Sequence, residues 1–398
     1  MLLRSLANSG HAEFLKGLER TFVKSIQKML IVILYVFLVS SAYAQNNDKI
    51  SYTTYYFNDS GNNSVITTSF SLAKKIISGT AVLLDIELDK VSLPPVDGAT
   101  GASRPTRKKN ETFEKNRGQV ILGLEQSLGS ASTLALNAYR SQELDYLSNA
   151  VIVTLSRDLF QNNTTVTLRA QYNDDKVGEL LESGKIQNQE KTVITGALNL
   201  AQTLTKSTVL NLSYDYVKMD GFLSDPYRKV TVFDENNAFL VLNENHPDNR
   251  LRQAVTARLS QYLNPVDASI IGSYRNYFDD WKVKSHTAEI RFNKYIFEDL
   301  ITGFNYRYYS QSSAEFYKER YSQVPNTIVE FRTSDYKLNQ FQSNTFGLNL
   351  RLLFRGLAKG NPGWEFLEKS SFEVMYLRYA NDLDFSANIV QASINFAI

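Results

Sequence analysis

The sequence predicts an all-β chain, a transmembrane antiparallel β-barrel of about sixteen strands. Three observations carry this expectation. Apolar and polar residues alternate with period two over successive segments of about ten residues. Aromatic residues crowd the ends of those segments, as they do at lipid interfaces. Short connections alternate with long ones along the chain. A soluble β-sandwich also alternates, with its apolar face turned inward, but strands long enough for a tilted crossing and sorted loop lengths favour the membrane barrel.

The alternation is explicit. Val82, Leu84, Ile86 and Leu88 share one face of a strand, and Ala81, Asp85, Glu87 and Asp89 share the other. Leu210, Leu212, Tyr214 and Tyr216 oppose Asn211, Ser213 and Asp215. Phe346, Leu348, Leu350 and Leu352 oppose Asn349 and Arg351, and Val390, Ala392, Ile394, Phe396 and Ile398 oppose Gln391, Ser393 and Asn395. Strands are expected to begin near Ile50, Ser64, Thr80, Gly118, Ser132, Asn149, Thr164, Lys191, Ser207, Arg250, Ala268, Lys284, Leu300, Gln340, Ser370 and Phe385. The aromatic girdles are assigned to Tyr52, Tyr55, Tyr56 and Phe57 and to Phe304, Tyr306, Tyr308 and Tyr309.

With the first strand starting on the periplasmic side, the long connections near 91–117, 173–190, 219–249 and 311–339 all fall outside the cell. Those near 127–131, 202–206 and 263–267 fall inside and are short, as in bacterial outer-membrane barrels. The connection near 355–369 is the one long exception. In hydrocarbon every backbone N–H and C=O must pair within the protein, and a closed sheet of tilted strands satisfies that demand. A barrel of this size encloses water unless loops fill it. Its expected inner face carries Asp85, Glu87, Asp89, Glu125, Arg169, Asp215, Arg258, Arg275, Glu289, Arg291, Arg307 and Arg351. Because both signs occur, these charges read as solvation of the lumen and not as a simple ion selector.

Export is expected from the N-terminus. The apolar run "MLIVILYVFLV", Met29 to Val39, follows Lys24 and Lys28 and precedes Ala42-Tyr43-Ala44, a small-x-small cleavage pattern before Gln45. Residues 1–44 therefore read as leader and secretory signal peptide, and 45–398 as an outer-membrane barrel in contact with lipid. A net charge of +2 gives no basic patch of the kind nucleic acid needs. The absence of cysteine excludes disulfides, iron–sulfur ligation and c-type haem attachment. No metal site is expected from three histidines, one of which, His11, lies in the leader.

Catalysis is not expected either. His286 follows Ser285, but neighbouring strand residues point to opposite faces. His286 is assigned to the lipid side near the interface, and His246 to a loop beside proline. No G-x-S-x-G motif occurs. In the longest external loop, Asp225-Pro226 and His246-Pro247-Asp248 are turn chemistry, and Lys229 to Leu242 is expected to form a small hairpin above the barrel, as a lid or plug or as ordinary surface.

The stretches "DGATGAS", "GFLSDPYRKV", "DDWKVKSHTAEIRF" and "ITGFNYRYYSQSSAEFY" resemble those of an uncharacterised family of bacterial outer-membrane barrels known as a domain of unknown function. The resemblance runs from about Ile50 to Ile398 and brings no transport activity with it. "DGATGAS" also resembles the acceptor motif of exported flavoproteins, D-x-x-(S/T)-G-A-(T/S), in which a periplasmic FMN transferase joins the phosphate of FMN to the last hydroxyl. That resemblance implies Ser103 as the acceptor, with Asp97, Thr100, Gly101 and Ala102 as recognition residues. Serine stands where threonine is commoner, and the small flavin-binding domain usual in that family is absent. Gly101 and Ala102 let an enzyme pocket close on the backbone. Arg104, Arg107, Lys108 and Lys109 follow, able to pair with the flavin phosphate or with an acidic lipopolysaccharide surface.

The expectation is thus a barrel bearing covalent FMN on Ser103 for extracytosolic electron transfer to a redox partner, a carrier more than an enzyme. The alternative is a porin-like channel or transporter without cofactor, and a third is a structural or assembly partner.

Overall fold

The computed structural model describes residues 48–93, 113–180, 186–322 and 331–397. The leader, the signal-peptide assignment and the whole DGATGAS stretch lie outside the described residues. Sixteen antiparallel strands close into one barrel. In chain order they are β1 (Lys49–Asp59), β2 (Ser64–Ile77), β3 (Thr80–Leu93), β4 (Phe113–Ser127), β5 (Ser132–Gln142), β6 (Tyr146–Leu159), β7 (Thr164–Leu180), β8 (Ile186–Thr205) and β9 (Thr208–Gly221). Two short strands, β10 (Lys229–Phe233) and β11 (Phe239–Asn243), intervene before β12 (Asn249–Leu263), β13 (Ala268–Asp279), β14 (Lys284–Phe297) and β15 (Leu300–Gln311). After β16 (Tyr321–Ser322) come β17 (Phe341–Leu353), β18 (Ser371–Asn381) and β19 (Ser386–Ala397). β1 pairs with β19 from Lys49↔Ala397 to Asp59↔Ala387, so the barrel has no free edge. β10, β11 and β16 form a separate small sheet in the order β11-β10-β16.

Thirteen of the expected strand starts fall within one residue of the observed ones. Three do not. β4 begins at Phe113 against Gly118, β6 at Tyr146 against Asn149, and β8 at Ile186 against Lys191. The missed pieces of β4 and β8, "FEKNR" and "IQNQE", are largely polar and lack the apolar–polar alternation that marks a lipid-facing strand; the three-residue miss at β6, "YLS", has no such cause. A tilted crossing needs about 9–11 residues, whereas β7 and β8 run for 17 and 20. Their hairpin therefore carries roughly 20–30 Å of strand beyond the membrane.

The connections sort by end. At one end they are 78–79, 128–131, 160–163, 206–207, 264–267, 298–299 and the exception 354–370. At the other end lie 60–63, 94–112, 143–145, 181–185, 222–248, 280–283, 312–340 and 382–385. The tight end uses left-handed backbone where a hairpin must reverse in two residues. Gly79 sits at φ 82°, and the ladder slips at Lys75/Ile77 to accommodate it. The long exception folds back on the wall, with Phe366 stacked 6.3 Å from Phe396 and Arg355 bound to Asp299.

The outside is apolar. Leu124, Leu136 and Val153 face one another across β4, β5 and β6 and remain 53%, 52% and 40% exposed. An apolar band of this extent is not stable in water and needs hydrocarbon around it. Among the described residues no helix is long and apolar enough to cross a membrane. The chain crosses with strands. Leu136→Arg, near the middle of β5, is accordingly expected to cost about 2–4 kcal/mol. Urea titration of the barrel in vesicles checks it, and native stability in the variant rules out a lipid-facing Leu136.

All twelve charged residues assigned to the inner face share one face by register, for instance Asp85↔Ile121, Arg169↔Ala197↔Asp215 and Arg307↔Glu289. The girdles need one correction. Tyr52, Tyr56, Phe304, Tyr306 and Tyr308 face outward, but Tyr55, Phe57 and Tyr309 fall on the inward face. Period two makes this unavoidable, because consecutive aromatics cannot share a side. Tyr309 stacks instead on Phe341 at 5.5 Å, near the rim.

Candidate functional site

Two of the long connections, 222–248 and 312–340, fold together at the long-loop end. The expected hairpin over Lys229–Leu242 is present as β10 and β11, and β16 joins it in parallel through Val232↔Tyr321. Val230, Val232 and Tyr321 are each 2% exposed, so this small sheet has a core of its own. A second core lies where the sheet meets the barrel rim. It contains Trp281, Val283, Ala314 and Leu338, with Leu223, Tyr277, Phe316 and Tyr317 packed against it.

Trp281 is the centre of that core. It projects from the tight 280–283 turn, whose geometry is set by Asp279 accepting from the Val283 N–H at 2.9 Å, with Lys282 at φ 68°. Its indole N–H donates to Asn249 O at 2.8 Å. The guanidinium of Arg250 lies 4.1 Å above its ring, and His246 and Phe316 meet it edge-on, each at 5.1 Å. Arg250 is itself held by Asp279, which also accepts from Tyr277 Oη at 2.7 Å.

Glu244 is the polar counterpart. Its side chain is fully buried. It accepts the Asp225 N–H at 2.9 Å and the Thr333 hydroxyl, and it lies 3.5 Å from Arg228 Nη1. His246 Nε2 is 3.3 Å away, within ion-pair range but off the angle of a hydrogen bond, while His246 Nδ1 contacts Leu223 O at 3.0 Å. Burial alone pushes the Glu244 carboxyl up. The contact with His246, then Arg228 and Thr333, outweighs that and brings it down to about 2. Arg228 also reaches Asp335 at 3.1 Å. One carboxylate and one guanidinium thus tie the 222–248 connection to the 312–340 connection.

The assembled cap extends across the rim. Tyr227 Oη donates to Asp145 at 2.9 Å beside β5, and Tyr336 stacks on Phe385 at 6.0 Å beside β19. A cavity of about 140 Å³ lies beneath, lined by Met219, Leu223, His246, Arg250, Arg252, Trp281, Asp335 and Leu338. Below the cap the inner wall is wet. Arg169, Arg258, Arg291, Arg307 and Arg351 are exposed although they face the lumen.

The arc of rim at β3 and β4 carries a polar cluster. Arg117 binds Glu87 at 2.8 Å and Asp89 at 2.6 Å, and Lys115 binds Glu143 at 2.6 Å and Asp145 at 2.7 Å. The 94–112 connection leaves from this arc, but Ser103, Asp97, Thr100, Gly101 and Ala102 all lie outside the described residues. Their mutual geometry is therefore not part of the site described.

Among the described residues no group of three or more His, Asp or Glu side chains can hold a metal. His286 faces outward, where Tyr274 Oη meets its Nδ1 at 2.6 Å, so Ser285 and His286 form no nucleophile–base pair. The site residues that sequence reading missed are Trp281, Glu244, Arg228 and Thr333. Proline-flanked turns marked the loop containing Glu244, but nothing local marked its partner 89 residues away.

No curated protein matches the chain. Among solved structures, a bacterial polysaccharide outer membrane secretin is similar with TM-score 0.50 and 8% identity, over 89% of this chain and 99% of that one. A mutant of the ferric enterobactin receptor from Pseudomonas aeruginosa gives TM-score 0.47 and 10% identity, over 85% of this chain and 54% of the receptor. OccK9 from Pseudomonas aeruginosa gives 0.42 and 8%, over 88% and 98%. The chain spans about half the length of the siderophore receptors it matches. At these identities the likeness concerns the fold, a closed outer-membrane-type β-barrel. The profile of a family described as a protein of unknown function, DUF3570, matches residues 95–185 and 179–397, and with three quarters of its length so matched the chain belongs to that family.

Proposed function

We propose that this protein is a channel of the bacterial outer membrane, passing small polar solutes through a charged lumen whose outer mouth is narrowed by a folded cap. The observation that carries this reading is the pairing of exposed inward arginines with a cap that has its own hydrophobic core. A wall meant to be packed shut does not leave guanidinium groups in water. A loop meant only to turn does not bury a tryptophan and a carboxylate. Reconstitution in planar bilayers tests it. Discrete ion-conducting steps are expected, and a barrel that seals the bilayer at every pH between 3 and 8 overturns the reading.

A second reading is favoured by one specific observation. In sequence, the DGATGAS stretch lies between β3 and β4 and resembles a flavin-acceptor motif. In that reading a periplasmic FMN transferase, before the barrel assembles, moves FMN from a flavin dinucleotide to Ser103. The hydroxyl loses its proton and attacks the FMN phosphorus, the phosphoanhydride bond breaks, and the nucleoside monophosphate leaves. The bound flavin then passes electrons to a redox partner. Arg104, Arg107, Lys108 and Lys109 supply cations for the flavin phosphate. Intact mass after co-expression with the transferase is the test. The native chain is expected to gain one FMN, and Ser103→Ala none; equal masses for the two remove the flavin. The readings are compatible, since a channel needs no flavin and a flavin on the rim leaves the lumen open.

A further inference from the structure

The lumen sorts its charges by wall. Arg258, Arg275, Arg291 and Arg307 stand on four consecutive strands, β12 to β15. Each lies five to seven residues from the short-turn end of its strand, so the four form a belt at one height. Neighbouring strands are about 4.8 Å apart, which makes the belt roughly 15 Å wide. Around the sixteen-strand ring, β3 is eight places from β13, and at the same height it presents Asp85 and Glu87, with Asp89 nearer the rim and Arg117 of β4 paired to Glu87 and Asp89. The arginine belt therefore faces a wall whose acids are partly neutralised by Arg117 and which, among the described residues, carries no comparable cluster of free guanidinium groups.

Local pairing does not cancel the basic wall. Arg275 is 2.7 Å from Asp215 and Arg291 is paired with Glu289. Arg258 and Arg307 make no ion pair and no side-chain hydrogen bond among the described residues, and both are exposed to the lumen. Nor do the walls neutralise each other. A sixteen-strand barrel with strands tilted about 40° is roughly 30 Å across between backbones, which leaves the opposing charged groups on the order of 20 Å apart. That is beyond a Debye length of about 8 Å, so each wall acts on what passes next to it.

We propose that the arginine belt of β12–β15 is a binding track for small organic or inorganic polyanions, carrying several carboxylates or phosphates, that enter this lumen. The guanidinium groups are forked donors suited to both anion types, and a polyanion can hand over from Arg258 through Arg275 and Arg291 to Arg307 without leaving the wall. A monoanion meets one free guanidinium at a time and is held less.

This inference rests on the channel reading, and the two are tested by different measurements. Equilibrium dialysis of the detergent-solubilised full chain against citrate and against pyrophosphate reads the belt, whether or not the barrel conducts. Arg258→Gln with Arg307→Gln is expected to weaken retention of one or both probes by roughly five-fold for each arginine removed. The pair Arg258→Lys and Arg307→Lys keeps the charge but loses the fork, and is expected to retain the probes better than the glutamine pair and less well than the native chain. Heat-dependent gel migration confirms that every variant is a closed barrel. Retention unchanged in the glutamine pair, or no retention of either probe by the native chain, overturns the track. Loss of conductance with retention intact would instead strike the channel reading alone.

Discussion

Trp281→Ala is expected to release the cap while leaving the barrel closed. The indole is 6% exposed and at the centre of the core that joins the 222–248 and 312–340 connections to the rim. Removing it deletes the ring that Arg250, His246 and Phe316 pack against and strips the partner from Asn249 O. Large-to-small changes at such a site cost about 3–5 kcal/mol. The sixteen barrel strands do not rest on this contact, since each pairs with a neighbour on both sides around the closed ring. The expected picture is an unchanged heat-dependent shift on a gel, new protease cleavage within 222–248 and 312–340, and larger or noisier conductance steps. A variant whose loops resist protease as the native loops do would show that Trp281 does not hold the cap.

The second large effect follows from Glu244. Its carboxyl is held at about 2 in the folded cap, below the ordinary value of 4.5. A depressed carboxylate contributes stability that is present above pH 4.5 and lost as pH falls through the window from 4.5 to 2. The cap is therefore expected to loosen under acid, because protonated Glu244 no longer anchors Arg228 and no longer receives the Asp225 N–H and Thr333 hydroxyl as a charged acceptor. The chain has two tryptophans, so Trp364→Phe isolates Trp281 as a reporter. Acrylamide quenching of Trp281 is expected to rise between pH 4.5 and 2, and Glu244→Gln to be quenched more at neutral pH with most of the pH dependence gone. Quenching that stays flat to pH 2 in the native background argues against Glu244 as the clasp.

Much of the barrel was legible because lipid imposes a rule that a short sequence window can express. A strand with hydrocarbon on one side and water on the other must alternate, as Phe346 to Leu352 does, and thirteen strand starts follow from that alone. Where the alternation stopped the rule lapsed. "FEKNR" and "IQNQE" carry no apolar–polar alternation, and the reading placed β4 and β8 five residues late. Tyr55, Phe57 and Tyr309 show the opposite failure, in which composition suggested a girdle and the pleat sent the ring inward.

The cap was legible only in part. The hairpin between Lys229 and Leu242 could be expected from its turns, but Thr333 meeting Glu244 and β16 joining β10 are contacts between segments far apart in sequence. Their specificity comes from strand order in the ring, which brings the two connections to neighbouring stretches of rim.

By itself the sequence determined the fold class, the strand number, the parity of the loops and the face on which each charged residue lies, because alternation and turn chemistry act within a few residues of the chain. Only the closed tertiary structure decided which charges stand opposite one another. Read along the chain, Asp85, Glu87, Asp89, Arg258, Arg275, Arg291 and Arg307 look mixed. Closure of β1 on β19 puts β3 across from β13, so the arginines of β12–β15 stand opposite Asp85, Glu87 and Asp89, the last two of them paired with Arg117. That arrangement belongs to the circumference of the ring, a property that no short stretch of sequence contains.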